Sequence, residues 1–390
     1  MNYFIDVANY SVNKYGEELC GDHVEHIKTK DGTITVLADG LGSGVKANIL
    51  ATLTSKIAIT MLKEGASIEE TIDTITNTLP ECKVRKLAYS TFTIVKVEDN
   101  GNVYMVEYDN PSVFFYRNGE TYPIQKVKKE INDKFIYESH FKMVQNDVLT
   151  IVSDGVIHAG VGERLNLGWQ WEHVNEYLSD LVKVETSAEK IANHLMSVCE
   201  NLYANAPGDD TTVITIKTRA KQYLDIFTGP PKDPKNDKHL LEHIKTAKGK
   251  VILCGGTTAN IVSKELNTPI DIDLVNYTEE VPPMGTMEGV ELVTEGLLTL
   301  NKVKDLLSIH SEEKKRGMIV PPIYGLDGAS RIARILIDES THIRLWVGTA
   351  VNPAHQNPNF PGRFNLKIKV MKEIKKYLEE IGKWVEINYL

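Results

Sequence analysis

The sequence predicts an α+β sandwich, two antiparallel sheets flanked by helices, followed by a smaller α/β domain. Three observations predict it. Residues 33–217 set alternating, β-branched strands around long helices with apolar residues at helical spacing. Residues 228–238 then crowd three prolines and several charges into a stretch that no packed element would accommodate. Beyond them, residues 250–275 follow a strand, turn, helix, strand order, which points to an at least partly parallel sheet. A chain of 390 residues, at a usual size of about 150 residues per domain, divides into two. The expected boundaries are 1–222 for the first domain, a linker over 223–238, and 239–390 for the second.

In chain order, residues 33–38 (Thr-Ile-Thr-Val-Leu-Ala) read as a strand. Glycines at 40, 42 and 44 turn the chain into a helix running to about residue 63, with Ile49, Leu50, Leu53, Ile57, Met61 and Leu62 on helical spacing. A second helix covers 68–79, where Glu69 and Glu70 suit the positive helix end. Strands follow over 90–97, 103–108 and 113–116, punctuated by Asn100-Gly101 and Asn118-Gly119. Residues 135–137 and 147–153 extend this meander, a helix fills 188–205, and 211–217 closes the first domain. In the second, 250–254 is a short strand of buried type, 255–258 a tight turn, 259–266 a helix and 270–275 a strand. Helices are expected over 291–307, 329–338 and 367–380, with a strand at 343–347. No internal repeat is visible.

Composition narrows the function classes. Hydrophobic residues at 42%, charged at 25% and aromatic at 7% describe an ordinary globular chain. The formal charge of −9, from 44 basic and 53 acidic residues, argues against nucleic acid or an anionic membrane as the main partner. Cys20, Cys82, Cys199 and Cys254 are far apart and form no C-x-x-C pair, so reduced thiols are expected. The N-terminus lacks a basic segment followed by a long apolar one, and no apolar run approaches the ~18 residues of a spanning helix. A cytoplasmic protein is the expectation.

Four aspartates carry the chemistry. Asp22, Asp39, Asp154, and Asp209 or Asp210 each sit at one end of an apolar run, in Gly21-Asp22, Ala38-Asp39-Gly40, Ser153-Asp154-Gly155 and Gly208-Asp209-Asp210-Thr211-Thr212. Carboxylates at strand tips can converge from neighbouring strands. Brought together they repel unless cations neutralise them, and ligation by oxygen alone favours Mg²⁺ or Mn²⁺ over Zn²⁺. Two such ions about 4 Å apart can share a water, lower its pKa and clamp an in-line displacement at phosphorus. A thiol route lacks its arginine, because the C-x5-R position is His26 after Cys20 and Ala88 after Cys82. His23 or His26, close after Asp22, could donate a proton to a leaving alkoxide; a solvated or hydrogen-bonded strand histidine accounts for the same residues. His158, four residues after Asp154, carries the same pair of readings.

These motifs, in this order over residues 1 to about 218, resemble the metal-dependent Ser/Thr protein phosphatases of the PPM (type 2C) group, and within it the stage II sporulation protein E (SpoIIE) branch. The pieces are Gly21-Asp22, Ala38-Asp39-Gly40-Leu41-Gly42-Ser43-Gly44, Thr150-Ile151-Val152-Ser153-Asp154-Gly155-Val156 and Gly208-Asp209-Asp210-Thr211-Thr212. The resemblance implies an αββα fold with two Mn²⁺ or Mg²⁺ ions between the sheets. By position it makes Asp39 the bridge between both ions. Asp154 and Asp209, or its neighbour Asp210, would hold the first ion, and Asp22 with the Gly40 carbonyl the second. It implies a bacterial regulatory enzyme in which an activated water removes phosphate from serine or threonine of a partner protein, with Asp22, Asp39, Asp154 and Asp209 as the catalytic set. Eukaryotic members place an arginine near the first strand; residues 9–18 here offer only Lys14, which leaves the phosphate mainly to the metals.

Other motifs resolve differently. The glycines at 40, 42 and 44 fail a dinucleotide fingerprint because position 45 is Val45. Gly249-Lys250 is followed by Val251, so no Walker loop is present. Gly255-Gly256-Thr257-Thr258-Ala259-Asn260 follows a strand and opens a helix, which suits a small anionic ligand; a tight turn capped by Thr257 or Thr258 suits the same residues. Glu288, Glu291 and Glu295 could line one helix face as a metal site or be a solvated face. The loop from Pro321-Pro322 to Asp327-Gly328, with Arg331 and Arg334 after it, could contact a phosphate. The alternative function is therefore a ligand-gated or non-catalytic scaffold whose second domain binds a small anion.

Overall fold

The computed structural model describes residues 3–78, 90–131, 134–185, 187–316, 320, 322–350 and 363–390. Cys82, Ala88 and Pro321 lie outside the described residues. Two compact units meet in the chain between Ala220 and Lys221.

The first unit opens with strands β1 (Phe4–Val12), β2 (Asp22–Lys28) and β3 (Gly32–Gly40), then helices α1 (Gly44–Lys63) and α2 (Ile68–Thr78). Strands β4 (Ser90–Glu98), β5 (Asn102–Tyr108), β6 (Phe114–Arg117), β7 (Glu120–Thr121), β8 (Val127–Ile131), β9 (Lys134–Lys142) and β10 (Val148–Val152) follow. Helices α3 (Asp154–Ile157), α4 (Trp171–Val184) and α5 (Ala188–Leu202) precede strand β11 (Thr211–Arg219). One sheet has the order β1-β11-β10-β6-β7 and the other β2-β3-β4-β5-β9-β8, and their strands pair antiparallel.

Three apolar layers stack this unit as helix, sheet, sheet, helix. Leu37, Val95, Met105, Leu149, Ile151, Ile214 and Ile216 fill the space between the sheets. Ile34, Val36 and Ala38, on the opposite face of β3, pack under α1 and α2. Val152, Val213 and Tyr10 pack under α4 and α5. The period of two along β3 thus serves both faces of a sheet covered on each side. Helix α2 starts in a capping box, with Ser67 N donating to Glu70 Oε2 at 2.8 Å and Glu70 N to Ser67 Oγ at 3.1 Å. Helix α1 is long and apolar enough to cross a membrane by length and composition, which the sequence reading did not expect. It packs instead on the sheet through Ala47, Ala51, Ala58 and Ile59.

The second unit contains β12 (Tyr223–Thr228), α6 (Asp237–Lys245), β13 (Lys250–Cys254), α7 (Gly256–Leu266), β14 (Asp271–Asp273), β15 (Met284–Met287) and β16 (Val290–Thr294). It continues with α8 (Leu297–Lys315), α9 (Gly328–Arg334), β17 (His342–Val347), α10 (Arg363–Glu380) and β18 (Trp384–Tyr389). The sheet order is β14-β15-β16-β13-β12-β17-β18, parallel from β16 to β18 and antiparallel at the β14–β15–β16 edge. Helices cover both faces: α8, α9 and α10 on Leu224, Ile226 and Leu345, and α6 and α7 on Phe227, Val251 and Leu253.

Three expectations need correction. The linker over 223–238 is not one, since its first six residues are β12, paired with β13 on one side and β17 on the other. Its mid-strand Asp225 is fully buried and satisfied by Arg344 (2.8 Å) and by the Trp346 indole N–H (2.7 Å). The helix over 291–307 begins only at Leu297, because Val290–Thr294 is a strand and Gly296 the helix N-cap. Glu288, Glu291 and Glu295 therefore share no helix face. Glu291 pairs with Lys250 at 3.3 Å and Arg331 at 3.6 Å, while Glu295 Oε2 accepts from Leu298 N at 3.0 Å.

Candidate active site

Strand register brings the predicted carboxylates to one end of both sheets. Across the β2–β3 ladder Asp22 stands directly opposite Asp39. In the other sheet Val152 pairs with Val213, so Asp154, two residues past the one, and Asp209 and Asp210, just ahead of the other, leave the strands at the same end. The Ser153 N–H donates to the Thr212 carbonyl at 3.0 Å and the Thr212 N–H to Ser153 Oγ at 2.9 Å, which fixes the two loops against each other.

Glycines set the spacing. A side chain at Gly40 would collide with the Ala47 carbonyl of α1, and one at Gly155 with the Asp210 carbonyl. A side chain at Gly21 would press on Asp210 Oδ2. Gly40 beside Asp39 and Gly155 beside Asp154 are therefore required by close backbone approach. Asp210 is anchored from the other side as well, its Oδ1 accepting from the Lys14 N–H at 3.0 Å.

Asp39, Asp154, Asp209 and Asp210 all line one cavity of about 370 Å³, together with Lys14 and Gly40. Asp22 lies behind its wall, 4% exposed, with neither carboxylate oxygen in hydrogen-bond geometry. Burial pushes Asp22 up to about 7; the nearby Thr212 and Ser153 hydroxyls oppose this, and the charges of Asp210 and Asp154 reinforce it. Burial, then the charges of Asp22, Asp154, Asp209 and Asp210, pushes Asp39 up to about 9. Asp154 and Asp210 are also raised, first by burial.

Both Asp22 oxygens and Asp210 Oδ2 are buried without a partner, and crowded carboxylate oxygens of this kind are what hard divalent cations neutralise, so the donor set fits Mg²⁺ or Mn²⁺ in kind. Among the described residues no three acidic, histidine or cysteine side chains already stand close enough to enclose one ion.

The other candidates separate from the cavity. His23 Nδ1 sits 2.8 Å from Ser55 Oγ on α1, and burial lowers its pKa. Neither it, His26 nor His158 lines the cavity. The Cys20 thiol is raised by burial and by Asp22 and Asp210, which removes it as a thiolate nucleophile. Sequence reasoning missed Ser90, Thr91, Tyr108 and Asp109 on the cavity wall. Register was the available signal: Thr91 pairs with Asp39 and Ser90 with Gly40, and Tyr108 with Phe92.

The family model for stage II sporulation protein E (SpoIIE) matches residues 29–219. None of the curated proteins matches the chain. Among solved structures, the chain is similar to the PP2C phosphatase domain with a fragment of the regulatory domain of SpoIIE from Bacillus subtilis, at 18% identity and TM-score 0.48. That match covers 56% of this chain and 63% of the other, so the chain spans less than two thirds of that relative. The RsbU and RsbW domains of a Mycobacterium tuberculosis protein match at 13% identity and TM-score 0.48, over 63% of this chain and 68% of that one. RsbX in complex with magnesium matches at 19% identity and TM-score 0.42, over 56% and 97%.

Proposed function

Residues 29–219 belong to the SpoIIE-like branch of the PPM phosphatases, and from that premise we propose that the first unit hydrolyses phosphoserine or phosphothreonine on a regulatory partner protein. One observation carries the reading: Asp39, Asp154, Asp209 and Asp210, from three separate chain segments, meet on one cavity wall with Asp22 paired behind Asp39. Two divalent cations, Mn²⁺ or Mg²⁺, suit this set, with Asp22, Asp39, the Gly40 carbonyl, Asp154, and Asp209 or Asp210 as ligands. When bound, such ions lower the pKa of a water and neutralise phosphate charge.

The chain's own residues supply the frame. Lys14, on the cavity wall, offers its ammonium to the phosphate and orients it, the role the sequence left to the metals. Gly40 and Gly155 let the strand ends approach without intervening side chains. No covalent nucleophile is required of the side chains, and burial with the charges of Asp22 and Asp210 disfavours the Cys20 thiolate.

A second reading, a non-catalytic scaffold or sensor, draws on the absence of a preassembled group of three ligands among the described residues. One assay separates the two. The metal-stripped full chain is given an aryl phosphate and a phosphoserine peptide with Mn²⁺, Mg²⁺ or neither, beside Asp154→Asn. Turnover that returns only with metal and is lost in the variant is expected. Turnover without metal, or undiminished in the variant, overturns the phosphatase reading; a folded chain inert under every metal favours the scaffold.

A further inference from the structure

The second unit's parallel strands run β16-β13-β12-β17-β18, so the chain winds outward from β12 in one direction and then in the other. The connections diverge between β12 and β17, and at such a switch point the carboxyl ends of the strands leave a crevice where ligands bind. Each of the four strands around it is followed closely by a glycine: Gly229, Gly255, Gly296 and Gly348. At Gly229 and Gly348 an added side chain would strike its surroundings, while at Gly255 and Gly296 it would only touch them. A methyl group at Gly348 would meet the carbonyls of Gly229 and Pro230, and one at Gly229 the ammonium of Lys367. A Cβ at Gly255 would stand 3.9 Å from Gly229 N and 4.0 Å from Gly296 Cα.

Three features converge on this bare edge. Helix α7 begins at it with Gly255 as an N-cap that has no side chain to accept from the helix. The first helical bond is Ala259 N to the Gly255 carbonyl at 3.0 Å, which leaves the N–H groups of Gly256, Thr257 and Thr258 ahead of it. The Thr258 hydroxyl is fully buried with no hydrogen-bond partner and points back at the Gly255 cradle, 4.0 Å from where a Cβ would stand. Lys367, half-buried on α10, reaches the same edge and donates to the Gly348 carbonyl at 3.0 Å. No carboxylate among the described residues pairs with it, and residues 351–362, which precede it, contain no acidic residue. Burial lowers its pKa. The neighbouring helix α8 differs, because Glu295 already occupies its N-terminus.

We propose that this edge, formed by Gly229, Gly255 to Thr258 and Lys367, binds a phosphate dianion, either free or carried by a nucleotide. Free N–H groups at the positive helix end and one ammonium match its charge, and Gly256, beside which nothing lies within 4 Å, leaves the helix start open to its oxygens. A buried hydroxyl without a partner and a half-buried lysine without a counter-charge both destabilise an empty site, and the ligand relieves both.

The test is calorimetric titration of the full chain in EDTA, where the bare carboxylates of the first unit repel anions. The probes are inorganic phosphate, ADP and succinate. Saturable binding of phosphate or ADP is expected, weakened about ten-fold in Lys367→Met and several-fold in Thr258→Val, and unchanged in Asp154→Asn. Binding of both probes identifies the phosphate group itself as the ligand; binding of ADP alone identifies a nucleotide. The thermal midpoints of Lys367→Met and Thr258→Val, without ligand, should equal or exceed the parent's. No saturable binding of phosphate or ADP overturns the site. So do binding that survives Lys367→Met, binding lost in Asp154→Asn, succinate bound as tightly, or midpoints lowered in both variants.

Discussion

Tyr203, 2% exposed at the end of α5, donates its hydroxyl to the Gly155 carbonyl at 2.7 Å. This bond ties a helix of the outer layer to the short turn that carries Asp154. Removing it leaves a buried carbonyl unsatisfied beside the carboxylate cluster. Tyr203→Phe should therefore cost about 1 kcal/mol of stability and lower turnover more than it changes KM, read by urea unfolding and steady-state kinetics. A variant matching the parent in both would show that Asp154 is positioned without it.

Replacing Asp39 by Asn removes a charge facing Asp22 across the ladder. Like charges directly opposite destabilise a strand pair by roughly 0.2–1 kcal/mol. Asp39→Asn should thus abolish metal-dependent hydrolysis and, above pH about 9, where both side chains are ionised, raise the melting temperature of the metal-free chain. A lower melting temperature would argue that Asp39 is structural.

In EDTA the same carboxylates make stability depend on pH. Asp22 at about 7 and Asp39 at about 9 hold protons more tightly folded than their ordinary value of 3.8. The folded state then binds more protons than the unfolded one, so stability falls as pH rises. The contribution is complete below pH about 4 and is lost through pH about 7 and then about 9. Thermal midpoints of the chelated chain should fall from pH 5 to pH 9 and recover at pH 9 when Mn²⁺ or Mg²⁺ is added. A flat profile without metal would contradict the repulsion argument.

Gly40→Ala places a methyl group against the Ala47 carbonyl of α1. Overpacking of this kind typically costs 1–3 kcal/mol, and here it also moves the strand end that carries Asp39. Both the unfolding midpoint in urea and hydrolysis should drop. Gly16→Ala, where an added methyl group meets nothing within 4 Å, serves as the comparison, its own cost confined to a φ of +86°.

Much of this was legible in the sequence, and the limits have physical causes. Asp39 and Asp154 could be placed because each ends a run of β-branched or apolar residues whose period is local. Strand β12 could not, because Asp225 interrupts Tyr-Leu-Asp-Ile-Phe-Thr and reads as exposed. Its partners, Arg344 and Trp346, lie more than a hundred residues away. Strand β1 was hidden in the same way: Asp6 falls mid-strand and is paired with Arg219 at 3.1 Å from the far end of the unit. Tyr108 and Asp109 reach the cavity through pairing register, which a single segment does not display.

Strand β11 lies between β1 and β10, though it is the last element of the first unit to be synthesised. Until it emerges, β1 has no described neighbour in its sheet, and Asp209 and Asp210 have not followed the other three aspartates into place. A growing chain therefore carries an incomplete acidic cluster through nearly the whole length of this unit. Closure waits on a contact between its two ends, which makes folding slow relative to locally paired chains. A C-terminal truncation that removes β11 keeps every aspartate of the cluster in the chain but takes away the strand between β1 and β10 that Asp209 and Asp210 lead into.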